Sequence, residues 1–449
     1  MGSVAAAVRC RGWSKHARND PVRDPWPGPA VGHETGQFQV SPDFREIPKY
    51  TGVLRARNLE IFRQRLAEAN MLDQADDFVR ASGALSVICY REDIEAALRT
   101  PGFGGFQLLD LQDFSGQGTA LVGILNAFME SKGLITPERW RRFCCQTVPL
   151  LRMKKYTWTT DEKFIGRIQV ANYGPADIAN AQVTWTAADG RGRTIAAGKI
   201  APATIAQGKV SEIDMFCFPL AGAAAPDKLT ITIAVAGTEY ANSYDLWVYP
   251  PKANTDAPQG VTIAAGLDAD SLARLGRGEK VLLLPDLKAL DDPGKSIAGS
   301  FQCDFWCWPM FKRAAENMKV PVAPGTLGIL CDPNSPALAG FPTEFHSNWQ
   351  WWQLVKNSRP VILDAAPAAW RPTVQVIDNF ARNHKLGLVL EIRAGKGKLL
   401  VCAIDLLGLR DKPEARQFLS SLLGYAASKD FDPKPELDVA MLKRLFSAD

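Results

Sequence analysis

The stretch "VGHETGQFQV", Val31–Val40, ends a short apolar run on a carboxylate, Glu34, set between a histidine and a Thr-Gly pair. The proline-rich "DPWPGPA" leads into it and "SPDFREIPKYTG" follows. "AVGHE" reads as a strand, and the chain after it reads as α/β. "RNLEIFRQRLAEANM" (57–71) carries Leu59, Phe62, Leu66 and Ala69 at helical spacing. "DQADDFVRASGALSVICYREDIEAALRT" continues as helix, with a break predicted near Gly83. "GFGGFQLLDLQDF" (102–114) reads as a second strand with glycines at its entrance. "GTALVGILNAFMES" (118–131) reads as a further helix that stops at Gly133. Strand, helix, strand, helix is the order of a parallel sheet.

Further along, the period changes. "FIGRIQVANYG", "AQVTWTAAD", "VSEIDMFCF", "KLTITIAVAG" and "YDLWVYP" are short alternating runs divided by turn residues, the pattern of an antiparallel β-sandwich. "PPKANTDAPQG" (250–260) has linker composition. Strand-like runs return in "KVLLLPD", "GTLGILCD", "PVILDA", "LGLVLEI" and "KLLVCAIDLL". "TVQVIDNFARNHK" and "PEARQFLSSLLGYAAS" fit amphipathic helices. The predicted division is a ragged N-terminus at 1–24, α/β at 25–148, a sandwich at 149–251, a linker at 252–260, an α/β domain at 261–430 and a tail at 431–449. Residues 1–24 have no period and are expected to pack poorly.

The 449 residues are 46% apolar and carry a net charge of +4, with 52 basic against 48 acidic side chains. This near-balance, without a long Lys/Arg block, argues against a nucleic-acid footprint. No apolar run reaches the ~18 residues of a membrane-spanning helix. "VAAAV" near the start is shorter than the ~7–15 residues of a signal-peptide core. Nine scattered cysteines, including the adjacent Cys144–Cys145 and the pair Cys303 and Cys307, lack the partners of a zinc site and read as buried free thiols. Neither cofactor nor metal is expected.

The phrases "GHETGQFQVSPDFREIPKYTGVL", "GGFQLLDLQDFSGQGTALVG", "YDLWVYP", "GTLGILCDPNSPALAGFPTEFHSNWQWWQL" and "KGKLLVCAIDLL" resemble the C-terminal half of glycoside hydrolase family 2, of the bacterial β-galactosidase-like kind. The resemblance spans roughly residues 25–430. It implies the last two βα units of a (β/α)8 TIM barrel, then an Ig-like β-sandwich, then a flavodoxin-like or glutamine-amidotransferase-like α/β domain without catalysis. It implies a carbohydrate substrate and retaining hydrolysis by two carboxyls. The nucleophile would end barrel strand 7 and the acid/base would end strand 4. "AVGHE" would be strand 7 and Glu34 the nucleophile, in keeping with the position of barrel active sites at strand C-termini. Strand 4 would lie upstream. The chain would then be the C-terminal part of an exo-β-glycosidase, inactive alone, with the upstream part of the same enzyme or a second copy as its partner. The competing reading is a non-catalytic carbohydrate-binding or structural remnant.

Other site candidates follow from this frame. Asp110, Gln112 and Asp113 follow the second strand and could meet sugar hydroxyls. The alternative for Glu34 is a structural carboxylate paired with an arginine or with His33, although strand alternation sends His33 to the opposite face. "FQCDFWCWPMF" (301–311), with Trp306 and Trp308, and "NWQWWQL" (348–354) could stack on sugars or fill a core. Cys331 lacks the elbow of an amidotransferase nucleophile, and Glu344–Phe345–His346 reverses the usual His-Glu order. "GRGEK" (276–280) and "GKGK" (395–398) read as turns rather than phosphate loops. Two βα units alone would leave an exposed apolar patch around Phe106, Leu108 and the 59–66 helix.

Overall fold

The computed structural model describes residues 30–446, so the expectation for residues 1–24 lies outside the described residues. The chain divides into two compact units. Of the described residues, the first holds 30–38, Val87–Asp113 and Val122–Pro251. The second holds Gln39–Ser86, Phe114–Leu121 and 252–446. The stretch expected as one partial barrel is thus shared between them.

In chain order, that stretch gives β1 (Ala30–Thr35), α1 (Arg57–Glu68), α2 (Ala75–Leu98), β2 (Phe103–Leu108) and the short α3 (Pro137–Arg141). β1 and β2 pair in parallel as a two-stranded sheet. Among the described residues no closed barrel is present. α2 runs unbroken through Gly83 for 24 residues, so the expected break is absent. The expected helix at 118–131 is absent too: these residues form turns and isolated bridges, Gln112 with Leu125 and Leu125 with Ser131. Gly123 explains why. A Cβ there would lie 2.2 Å from the backbone of Gln112, a close approach that only glycine allows.

The rest of the first unit is a β-sandwich. Its strands are β3 (Thr147–Met153), β4 (Thr157–Thr159), β5 (Lys163–Asn172), β6 (Ile178–Ala181), β7 (Val183–Ala188), β8 (Thr194–Lys199), β9 (Ala203–Ile205), β10 (Lys209–Pro219), β11 (Asp227–Val235) and β12 (Ala241–Tyr249). One sheet runs β10-β5-β3 and a second β4-β12-β11-β7-β8, while β6 and β9 pair as a separate two-stranded sheet. In "KLTITIAV" the alternate residues Leu229, Ile231, Ile233 and Val235 point into a core that Phe164, Ile168, Phe216 and Trp185 complete. Phe106 and Leu108 are not exposed as expected. They are half-buried against Ile94, Leu98, Phe143, Val148 and Leu150, because the end of α2 and the start of the sandwich cover β2.

The second unit contains β13 (Val261–Ala264), α4 (Ala269–Gly276), β14 (Lys280–Leu283), α5 (Trp308–Met318), β15 (Thr326–Cys331), α6 (Trp352–Lys356), β16 (Val361–Ile362), β17 (Val374–Asp378), β18 (Leu386–Ala394), β19 (Gly397–Cys402), α7 (Pro413–Ala427) and α8 (Val439–Phe446). One sheet has the order β13-β14-β19-β18-β17-β15, with β16 beside β18. β13, β14 and β19 are parallel; the remainder is antiparallel, so the sheet is mixed rather than doubly wound. All five strand-like runs join it. "TVQVIDNFARNHK" is not a helix: Val374 and Val376 alternate along β17, and Asn379 and Asn383 then turn the chain. The described residues beyond 430, up to 446, are no loose tail, since Leu442, Leu445 and Phe446 of α8 are buried in the core. α1 buries Leu59, Phe62 and Leu66 against Leu327, Ile377 and Phe380 of the same unit. That face is therefore covered as well. "GKGK" is the β18–β19 hairpin turn, with Gly395 at φ 60°.

Candidate functional site

Parallel strands end on the same edge of their sheet, and β1 and β2 bring Glu34 and Asp110 to that edge. The backbone there is unusual. Glu34 has φ 55°, Gly36 φ 105° and Gln37 φ 66°. Two of these are non-glycine residues in the left-handed region, a conformation costing of order 1 kcal/mol or more that persists only when neighbours impose it. The neighbours sit on α2. Gly36 N–H donates to the Asp93 carboxylate, and Gln37 N–H donates to the Tyr90 hydroxyl. That hydroxyl lies 2.8 Å from the carbonyl oxygen of Val122 and 3.2 Å from that of Asp110. One phenol thus ties together the loops after β1, after β2 and around Val122. Phe38 and Trp140 pack edge-on against its ring.

The Glu34 side chain is 40% exposed. Gln37 Nε2 reaches its carbonyl at 3.1 Å and its Oε2 at 3.5 Å. His33 Nε2 lies 3.5 Å from Glu34 Oε1, and His33 Nδ1 is 2.9 Å from Gln107 Oε1 on β2. Simple alternation therefore fails at this point: the positive φ of Glu34 turns its side chain toward His33. The carboxylate has contacts on two sides and remains reachable from solvent.

Asp110 is half-buried, and that burial raises its carboxyl above the usual range. Gln112 is half-buried in the bridge with Leu125. Asp113 does not suit the expected sugar contact. Its side chain is buried, accepting from Gly123 N–H at 2.9 Å and from Lys132 Nζ at 2.6 Å, and this pair organises the loop in place of the expected helix. Tyr90, Asp93, Gln37 and Gln107 were not anticipated. Tyr90 and Asp93 stand three apart, hence on one side of α2, the sequence feature that could have marked them.

Behind Asp93, α2 meets the sandwich through buried charges. Glu95 is fully buried, 2.9 Å from Arg91 Nε and 2.5 Å from Arg99 Nη2, and it accepts from Asn242 and Tyr244. Burial alone would raise its carboxyl, but the two guanidinium groups and these hydrogen bonds hold it below the usual value. Glu92 is pushed up to about 7 by burial and by the Glu95 charge, and Asp93 to about 7 by burial and by Glu92.

The tryptophan candidates belong to the second unit. Trp308 is buried, donates from Nε1 to the Ala323 carbonyl and lies under the Arg382 guanidinium, so it is a core residue rather than a sugar platform. Trp306 is half-buried beside Phe305. Trp349 and Trp352 pack on Phe301, and Trp351 packs on Phe341 and Phe418. Cys331 is buried and its thiol is pushed up to about 12 by burial and nearby carboxylates. The eight described cysteines are free; Cys144 and Cys145 are half-buried and Cys217 is exposed, so only the other five fit the expected burial. Among the described residues no cluster of His, Cys, Asp and Glu could hold a metal ion, and no helix is long and apolar enough to cross a membrane.

Two family models match the chain, both of domains of unknown function: DUF8488 over residues 162–250 and DUF8487 over residues 262–447. No curated protein matches the sequence. Structural neighbours are partial. A CARDB domain from Pyrococcus furiosus, solved in complex with di-metal ions, is 9% identical, covering 23% of this chain and 93% of its own, with a TM-score of 0.19. Red sea bream transglutaminase is 14% identical over 26% of this chain and 18% of its own, at 0.20. A β-glucosidase from Listeria innocua in complex with gluconolactone is 11% identical over 23% and 16%, at 0.18. Likenesses of this size carry no functional argument.

Proposed function

We propose that this chain carries the nucleophile end of a retaining β-glycosidase of β-galactosidase-like kind, with β1 and β2 as the last two strands of a (β/α)8 barrel. The observation that carries the reading is Glu34: a solvent-reachable carboxylate in a strained turn at the C-terminal end of a parallel strand, on the same edge as Asp110. Retaining hydrolysis needs a carboxylate to attack the anomeric carbon. A second carboxyl, about 5–5.5 Å away, protonates the leaving oxygen and then activates water. In this reading Glu34 attacks, Gln37 and His33 hold its carboxylate, and Asp110 and Gln112 meet sugar hydroxyls. The acid/base comes from an upstream strand, on the side of β1 that has no neighbour among the described strands.

One observation favours the competing reading, a non-catalytic carbohydrate-binding or structural remnant: the Glu34 carboxylate lies 3.5 Å from His33 Nε2, the pairing of a structural carboxylate. Hydrolysis of an aryl β-galactoside separates the two. The chain alone should give no turnover. Joined to upstream barrel strands it should hydrolyse with retention, and Glu34→Gln should abolish that activity. Robust hydrolysis by the chain alone, or an extended protein indifferent to Glu34→Gln, would overturn the proposal.

A further inference from the structure

The second unit has a crevice of about 350 Å³ at the C-terminal ends of its three parallel strands. Ala265 follows β13, Leu284 to Lys288 follow β14, and Ile404 to Leu407 follow β19; together they form its lining. The topology explains why a crevice opens there. Leu275 of α4 and Leu442 and Phe446 of α8 pack on Val281, Leu283, Leu399 and Val401, covering one face of the sheet. α7 lies against β13 and β14 without entering that cluster, so by strand alternation it covers the other face. After β14 the chain turns toward the α4 face, burying Leu290 there. After β19 it leaves for α7. Adjacent parallel strands whose exits diverge to opposite faces make a topological switch point, where open α/β sheets bind their ligands.

The chemistry of the lining narrows the ligand. Leu284, Pro285, Ile404 and Leu406 are buried and give an apolar floor. Asp286, Asp405 and Lys288 are exposed at the rim. Asp286 Oδ1 accepts from Lys288 N–H at 3.0 Å and Asp405 Oδ1 accepts from Gly408 N–H at 2.8 Å, which fixes both carboxylates. Two acceptor-only groups beside one ammonium repel phosphates and carboxylates and suit hydroxyl donors. The volume is near the lower end of ligand pockets.

We propose that this crevice binds a neutral, hydroxyl-rich ligand of monosaccharide size, with Asp286 and Asp405 accepting from its hydroxyls and the floor meeting its C–H face. None of the Glu34 residues takes part, so the site does not rest on the glycosidase reading. Titration calorimetry of the full chain with galactose, with glucose and with inorganic phosphate tests it. The expected result is saturable millimolar binding of at least one sugar, weakened about tenfold or more by Asp286→Asn with Asp405→Asn. Both asparagines keep the acceptor for their loop N–H groups, so the fold should hold, and an unchanged circular dichroism melt checks this. Binding of neither sugar, sugar binding indifferent to the paired substitution, or displacement of the sugar by phosphate would overturn the proposal.

Discussion

A Cβ placed on Gly36 would lie 2.3 Å from Cε1 of Tyr90. The glycine two residues beyond Glu34 is therefore also the surface against which the α2 tyrosine packs. Its φ of 105° is itself a conformation that side chains avoid. Gly36→Ala should lose on both counts, by about 2–4 kcal/mol, because the ring is wedged by Phe38 and Trp140 and cannot retreat. Urea denaturation of wild type and variant measures this. A loss under about 0.5 kcal/mol would mean that the turn is not held as described.

Glu95→Ala should cost about 3–5 kcal/mol, since it leaves Arg91 and Arg99 unpaired in the interior. Replacing Arg91, Glu95 and Arg99 together by Met, Leu and Met should recover most of that loss when measured below pH 7, where Glu92 holds its proton and no buried charge is left alone. If the triple variant is as unstable as Glu95→Ala, the account of this network is wrong.

Asp93 sets a pH dependence. Its carboxyl ordinarily titrates at 3.8 and is raised to about 7 here, so the folded protein holds a proton that the unfolded chain releases. Stability from this group is therefore complete below pH 3.8 and declines as pH rises toward 7. Glu92 acts with the same sign, and Glu95, held low, acts with the opposite sign at more acid pH. Asp93→Asn keeps an acceptor for Gly36 N–H and should flatten the decline through that window. Denaturation midpoints at several pH values, unaltered in slope by the substitution, would contradict this.

Legibility in the sequence followed the strength of local periodicity. Leu59, Phe62 and Leu66 repeat at helical spacing and lie on the buried face of α1; "KLTITIAV" alternates and is β11. The stretch 118–131 looked helical because Leu121, Val122, Leu125 and Phe128 fit that spacing. Gly123 and the buried Asp113–Lys132 pair override it, and neither a close backbone approach nor a distant ion pair is visible in a local window. The tryptophan-rich segments show composition but not direction, so platform and core read alike until Trp308 is seen under Arg382. Glu34 stood out as a residue. Its contact with His33 is legible only as the alternative reading, against strand alternation, because alternation assumes extended backbone and Glu34 leaves it.

The thiols offer a separate check. Cys331, buried and raised to about 12, should resist iodoacetamide in the native protein, while exposed Cys217 should react first among the described cysteines. Peptide mapping after brief alkylation reads this directly. Early labelling of Cys331 would point to an activated thiol and to catalysis in the second unit.

If Glu34 is the nucleophile proposed above, it forms a covalent bond to sugar. Retaining hydrolysis passes through a glycosyl-enzyme, which a 2-deoxy-2-fluoro-β-galactoside with a good leaving group traps because its second step is slow. The measurement is mass-spectrometric mapping of that adduct on the protein extended by upstream barrel strands. One deoxyfluorogalactosyl group is expected on the peptide containing Val31–Val40, at Glu34, and none in Glu34→Gln. An adduct on another carboxylate, or enzyme that turns over substrate yet never acquires the label, would contradict it.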